Sequence, residues 1–370
     1  MEIEGLHHIT LVASNAQRTT DFYTQVLGLR LVKQTVNFDD PGSYHLYFGN
    51  AEAAPGSLIT FFEWPEAPRG APGIGGTHHL ALTVADGDSL LRWKRRLTDL
   101  GHQVYGPYDR HYFVSLYFRD PDGQLLELAT RGPGFTVDEP VEALGTVFQE
   151  PLWEATREHR DPVAIAAETW PEAVPAITPD MALVAGMHHL TAISADLERT
   201  HRFYHDLLGL RRVKMTANFD DPTSAHWYWG REEGRPGTLI TYFERDPAKT
   251  RRMRMGAGQT HHLAFSVRDE ATQVAWRERL LDAGVAVSPV RDRVYFKSIY
   301  TQDPDGHIIE LATRGPGFFV DESPETLGTG LQLPPWLEPH RDRIAPALVP
   351  LAVPAWPRFS PPMETPYGPA

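Results

Sequence analysis

Apolar and polar residues along this chain fall into short alternating runs, interrupted at regular intervals by stretches with helical spacing. Ile9 to Val12 is β-branched and alternating, which predicts a strand. Asn15 suits a helix N-cap, Phe22, Val26 and Leu27 recur at helical spacing, and Gly28 fits the position just past the helix end. Three strand-like runs follow, Leu31–Asn37, Tyr44–Phe48 and Ser57–Phe62. The order then recurs. His79–Val84 predicts a strand and Ser89–Leu100 a helix closed by Gly101. Further runs lie near Val104, at Phe113–Phe118 and at Leu125–Thr130. Each stretch is a βαβββ module.

The whole pattern is then copied. GLHHITLVASNAQRTTDFYTQVLGLRLVKQTVNFDDPGSYHLYFG at 5–49 aligns without a gap with GMHHLTAISADLERTHRFYHDLLGLRRVKMTANFDDPTSAHWYWG at 186–230. The match resumes at THHLALTV (77–84) and THHLAFSV (260–267), and again at DPDGQLLELATRGPGF (120–135) and DPDGHIIELATRGPGF (303–318). A repeat of this length means tandem duplication. The chain divides into a two-module domain at 1–150, a Pro-, Ala- and Glu-rich linker at 151–185, a second two-module domain at 186–344 and a Pro-rich tail at 345–370. The expected class is α+β, with four modules paired into two cupped, half-open β-barrels.

Composition narrows the chemistry. A formal net charge of −13 argues against nucleic acid or an anionic membrane as partner, since both need a basic face. The absence of cysteine excludes disulfides and thiolate-held metals, so any metal must sit on His and carboxylate. The N-terminus lacks a basic region followed by a long apolar run, and no apolar run is long enough to span a bilayer. The expected compartment is the cytoplasm.

All four modules carry a His pair in the first strand: His7-His8, His78-His79, His188-His189 and His261-His262. Glu127 and Glu310 sit in the apolar strands LLELAT and IIELAT, just after Asp-Pro-Asp-Gly turns. A carboxylate in such a strand is costly to bury unless it is paired or metal-bound. Neighbouring strand residues face opposite ways, so one His of each pair can face a given cavity. Two imidazoles and a carboxylate with open positions form the facial arrangement of non-haem Fe(II) oxygenases. Fe(II) is the expected ion, and Mn(II) or another divalent cation suits the same donors.

With these motifs in place, the chain resembles the vicinal oxygen chelate superfamily. The opening LHHIT, the stretch VKQTVNFDDPGSYHLYFG and the closing GPGF-VDE-LGT-PPWLEPHR pattern are similar to ring-cleaving dioxygenases of hydroquinone type. The resemblance covers all but the linker and tail. It implies that the second His of each pair is the ligand: His8, His79 and Glu127 in the first half, and His189, His262 and Glu310 in the second. The simplest reading gives each half its own set. Pairing the first module with the fourth and the second with the third is equally open, and would make the sets His8, His262, Glu310 and His189, His79, Glu127. Relatives of this type keep ligands in the first and fourth modules only, whereas here all four first strands keep the pair.

The resemblance also implies roles around the metal. Relatives of glyoxalase type place a fourth ligand, a Glu, where Thr60 and Thr241 align. Glu63 and Glu244, three residues on, are its substitutes only if the strand bulges. Thr10 and Thr191 follow the ligand His by two residues. His7, His78, His188 and His261 are candidates for proton transfer if the strand bends. Arg110 and Arg293, with Tyr117 and Tyr300, would suit a phenolate. His45 and His226 are candidate pocket residues, while Asp39-Asp40-Pro41 and Asp220-Asp221-Pro222 read as turn formers.

The function these expectations support is extradiol-type cleavage of a hydroquinone or catechol-like ring. The partners would be a small aromatic substrate and dioxygen, and a homo-oligomer is compatible with the sequence. The rivals are a glyoxalase-like isomerase or lyase and a non-catalytic small-molecule binding or resistance protein.

Overall fold

A computed structural model describes residues 1–356; the tail beyond Trp356 lies outside the described residues. The first module runs β1 (Gly5–Ala13), α1 (Ala16–Asp21), β2 (Arg30–Asn37), β3 (Asp40–Gly49) and β4 (Leu58–Glu63). The second runs β5 (Thr77–Val84), α2 (Gly87–Asp99), β6 (Tyr105–Asp109), β7 (Val114–Arg119) and β8 (Leu125–Thr130). Between the halves lie β9 (Phe148–Gln149) and α3 (Pro162–Ala167). The third module runs β10 (Met187–Ser194), α4 (Leu197–His201), β11 (Arg211–Asn218), β12 (Asp221–Gly230) and β13 (Leu239–Glu244). The fourth runs β14 (Thr260–Val267), α5 (Glu270–Asp282), β15 (Arg291–Asp292), β16 (Lys297–Gln302) and β17 (Ile308–Thr313).

Local chemistry sets the helix ends where the sequence places them. Asn15 caps α1 by accepting from the Arg18 amide at 2.8 Å, and Asp86 caps α2 through the Ser89 amide. Helix α1 widens into a π-turn over Phe22–Val26 and stops at Gly28, whose φ of 73° is the left-handed stop. Helix α2 buries Leu90, Trp93 and Leu97 against its sheet. Strand β3 begins earlier than the alternation predicts. Asn37 pairs with Asp40, so the turn is confined to Phe38 and Asp39, and Asp40 and Pro41 already belong to the strand.

Two curled sheets carry the fold. One has the order β15-β16-β17-β14-β1-β4-β3-β2, the other β6-β7-β8-β5-β10-β13-β12-β11-β9. The first module therefore shares a sheet with the fourth, and the second with the third. Strands β1 and β14 pair antiparallel at one seam, and β10 and β5 at the other. Of the two pairings the sequence leaves open, the sheets show the first module with the fourth and the second with the third, and neither half closes a barrel by itself.

Buried ion pairs hold this pairing. Lys33 on β2, fully buried, donates to Phe318 O at 3.2 Å, to Asp321 Oδ1 at 2.5 Å and to Glu322, all three beyond the fourth module. Lys214 on β11 does the same with Phe135 O, Asp138 and Glu139, beyond the second. Breaking such a pair strands a buried charge, so each lysine ties its module to the one beside it. The connectors 69–74 and 252–257 also bridge to each other between the barrels. Their contact is so close that a Cβ on Gly256 would stand 2.1 Å from Pro68 O.

Candidate metal centres

The antiparallel seams build two clusters. Across β1 and β14, His8 Nε2 lies 3.3 Å from His262 Nε2 and 3.4 Å from Glu310 Oε2, and His262 Nε2 lies 3.0 Å from the same oxygen. Across β10 and β5, His79 Nε2 lies 3.2 Å from His189 Nε2 and 2.9 Å from Glu127 Oε2, with His189 Nε2 at 3.5 Å. All six residues are buried. Each carboxylate arrives on a strand parallel to the seam, β17 beside β14 and β8 beside β5.

These donors fit a divalent cation. Bonds of about 2.1 Å at right angles place neighbouring donor atoms about 3.0 Å apart, the spacing found here. Glu127 Oε2 and Glu310 Oε2 are buried and make no hydrogen bond of good geometry, although two imidazole Nε2 atoms stand against each. The other oxygen is held: Ser115 Oγ donates to Glu127 Oε1 at 2.5 Å, and Ser298 Oγ donates to Glu310 Oε1. A half-satisfied buried carboxylate facing two imidazoles is expensive unless a cation joins them.

A strand irregularity explains the role of the paired histidines. The β1–β14 register shifts between Leu6 and His8, and the β10–β5 register between Met187 and His189. His7 Nδ1 lies 2.9 Å from His8 Nδ1, and the pairs His78–His79, His188–His189 and His261–His262 meet at 2.8 Å through the same atoms. Strict alternation fails here, and each first histidine holds the second by its outward nitrogen. Their fates then diverge. His78 and His261 line the two cavities, whereas His7 and His188 are buried behind them. Burial and the neighbouring imidazole lower His78 and His261 to about 3, so both are uncharged near neutrality.

The remaining predicted residues gather around the clusters. Thr10 Oγ1 reaches His262 Nε2 at 2.9 Å and Thr60 Oγ1 at 2.7 Å, and Thr60 continues to His45 and thence to Tyr47. Thr191, Thr241, His226 and Tyr228 repeat that chain. Strand β4 pairs regularly with β1 from His8–Leu58 to Ala13–Glu63, without a bulge. Glu63 turns instead to the start of α1, accepting from the Ala16 amide at 2.8 Å, and Glu244 caps the Leu197 amide. Thr60 and Thr241, rather than these glutamates, bond the threonines beside the clusters.

Arg110 and Arg293 stand at the cavity walls. Arg293 Nε donates to Tyr300 OH at 3.1 Å and Nη1 to Asp39 at 3.1 Å; Arg110 bonds Tyr117 OH and Asp220 likewise. The turn aspartates Asp39 and Asp220 thus acquire a second role that turn chemistry alone did not reveal. The doubled NFDDP motif was the available signal. Burial raises Tyr117 and Tyr300 above the ordinary phenol range, so both keep their protons. Pattern reading missed Phe296 and Phe113, which stack near His8 and His189, and the carboxylate-holding Ser115 and Ser298.

Fold and site together define a barrel protein assembled from βαβββ modules, with two candidate metal sites. The family model of the Glyoxalase/Bleomycin resistance protein/Dioxygenase superfamily matches residues 5–128 and 186–311, and the chain belongs to that family. Among curated relatives, MhqO of Bacillus subtilis (strain 168), named as a ring-cleaving dioxygenase, is 35% identical over 94% of this chain and 97% of its own. The chlorohydroquinone/hydroquinone 1,2-dioxygenase of Sphingobium indicum is 30% identical over 92% of this chain and 95% of its own. A crystal structure described as a dioxygenase from Bacillus subtilis matches with a TM-score of 0.75 at 34% identity, covering 95% of this chain and 99% of that one. Glyoxalase I from Zea mays, at 16% identity, TM-score 0.54 and coverage of 84% and 92%, shares the fold. Among the described residues no helix is long and apolar enough to cross a membrane.

Proposed function

We propose that the chain is a non-haem, divalent-metal dioxygenase that cleaves a hydroquinone or catechol-like ring by extradiol chemistry, with Fe(II) as the metal. The observation that carries this reading is the threonine at the glyoxalase-type fourth-ligand position, with Glu63 bonded away to the Ala16 amide. Three protein donors leave positions for a chelating diol and dioxygen. The relatives named as ring-cleaving dioxygenases support it.

His8, His262 and Glu310 would hold one ion, and His79, His189 and Glu127 the other. The bound ion supplies Lewis acidity to ionise a diol oxygen and electron density for oxygen reduction. The chain's own residues position the ring and manage protons. His261 and His78 accept at Nδ1 from the ligand histidine, so their neutral rings carry hydrogen on Nε2 and would donate it to a substrate oxygen. Tyr300 and Tyr117 accept from the arginine Nε and keep their own O–H to donate to a substrate oxygen. The phenyl faces of Phe62 and Phe296 shield one cavity from water, and Phe243 and Phe113 the other.

Protein reconstituted anaerobically with Fe(II) is expected to consume oxygen with a substituted hydroquinone or catechol. No uptake across a broad diol panel overturns the proposal. Turnover of a hemithioacetal without oxygen, with Ni(II) or Zn(II), would favour the isomerase instead.

A further inference from the structure

The duplication makes the two metal clusters alike, but their cavities differ. The cavity at His8, His262 and Glu310 has a volume of about 200 Å³, and the one at His79, His189 and Glu127 about 870 Å³. Two aromatic residues accompany the smaller one. Trp64 stacks parallel to the cavity-lining Phe62, and Trp336 stands edge-on to the cavity-lining Phe38. At the larger cavity the repeat partner of Trp64 is Arg245, and the segment between the halves contributes Arg157 and Arg160 to the wall.

Arg160 has no counterpart at the other site. In the repeated His-Arg-Asp run its partner is Arg341, which bonds Glu338 and Leu331 O instead. The Arg160 side chain is only 9% exposed. Its guanidinium lies 4.6 Å from the Tyr108 ring centre, and Nη1 donates to Asp220 Oδ1 at 2.5 Å. Arg110 donates to the other oxygen of the same carboxylate at 2.9 Å. Two guanidinium groups therefore share one carboxylate, a net positive charge among these three groups; the wall also holds Arg157 and Glu158, and Arg245 paired with Asp221. Arg160 Nη2 is buried and has no hydrogen-bond partner. A buried, unpaired guanidinium N–H is costly, and an anionic oxygen is the acceptor it suits best.

The geometry points to two sites with different substrate classes: the larger cavity takes an aromatic diol bearing a carboxylate or similar anionic substituent, recognised by Arg160, and the smaller takes a neutral one-ring diol. This rests on the ring-cleaving reading for the diol and on Arg160 for the anion. Trp64 in place of Arg245, and Arg341 turned to Glu338, leave the smaller cavity without that donor.

The test measures binding of 2,5-dihydroxybenzoate and methylhydroquinone by calorimetry, anaerobically, on the Fe(II)-loaded full chain. Glu310→Ala isolates the larger site and Glu127→Ala the smaller. The larger site is expected to prefer the carboxylate by about tenfold or more, as a charge-assisted hydrogen bond supplies. Arg160→Gln in the Glu310→Ala background should erase that preference while methylhydroquinone binding and iron content stay unchanged. Arg160→Lys, which keeps the charge, should retain part of it, and guards against a folding defect in the Gln variant. A preference that survives Arg160→Gln, or an equal preference in Glu127→Ala, overturns the inference. Selective binding without oxygen uptake would overturn the cleavage reading alone; oxygen uptake without selectivity would overturn this inference alone.

Discussion

His7 Nδ1 lies 2.9 Å from His8 Nδ1, although the two residues are neighbours on one strand. One proton must sit between these atoms. If His8 gives its Nε2 lone pair to a cation, its Nδ1 carries that proton and His7 accepts it, which fixes tautomer and ring plane together. His7→Phe keeps the volume and the ring contact with Phe296 but removes the acceptor. Metal affinity at the cluster with His262 and Glu310 should fall by about 10–100-fold, with the other cluster unaffected. Chelator competition monitored for two classes of ion would show it, and a single unchanged class would refute the assigned role.

Metal stoichiometry tests the pairing of modules. The wild-type chain should bind two divalent ions. Glu310→Ala and Glu127→Ala should each bind one, and the double variant none. The informative combination is His8→Ala with His262→Ala. If these two belong to one cluster, as the 3.3 Å contact requires, the double variant still holds one ion. If each half carried its own set, it would hold none.

Removing Lys33 should expose what holds the first module to the fourth. Lys33→Met leaves Glu322 buried without its cation, which costs about 3 kcal/mol. Adding Glu322→Leu should recover part of that loss, because the stranded charge is gone. Urea denaturation of both variants at neutral pH measures it; equal stability of wild type and the single variant would contradict the structural role.

Asp303 gives a pH signature independent of the metal. Burial pushes its carboxyl up to about 6 from an ordinary 3.8, against donated hydrogen bonds from Tyr242 and the His307 and Asp305 amides. Between those values the folded chain binds more protons than the unfolded one. The contribution to stability is thus full below the ordinary value and is lost as pH rises through about 6. Asp303→Asn cannot titrate. Its Tm relative to wild type should rise as pH is raised from about 4 to about 7. A constant difference across that range would argue against the raised carboxyl.

Much of this protein is written locally. The order of strands and helices follows from alternation, the caps at Asn15 and Asp86, and the stop at Gly28, all of which act within a few residues. The identity of the cluster residues was also legible, because an acid in an apolar strand and a His pair at four equivalent places are sequence facts. The shared histidine nitrogens were not, since a register shift at the β1–β14 seam turns His7 toward His8. Nor was Asp39's bond to Arg293, which joins residues 254 positions apart.

What the sequence by itself determined is the module, its fourfold repetition and the six candidate donors. What only the tertiary structure decided is which modules meet, and hence which of these side chains share a cluster. The physical reason is that the four modules are near-copies whose seam strands present equivalent edges, so alternation cannot choose among partners. The pairing is seen only in long-range contacts, Lys33 with Glu322, Lys214 with Glu139 and the close crossing of the two connectors at Gly256. The difference between the two cavities has the same origin, because Arg160 reaches its site from the segment between the halves, outside the repeated modules.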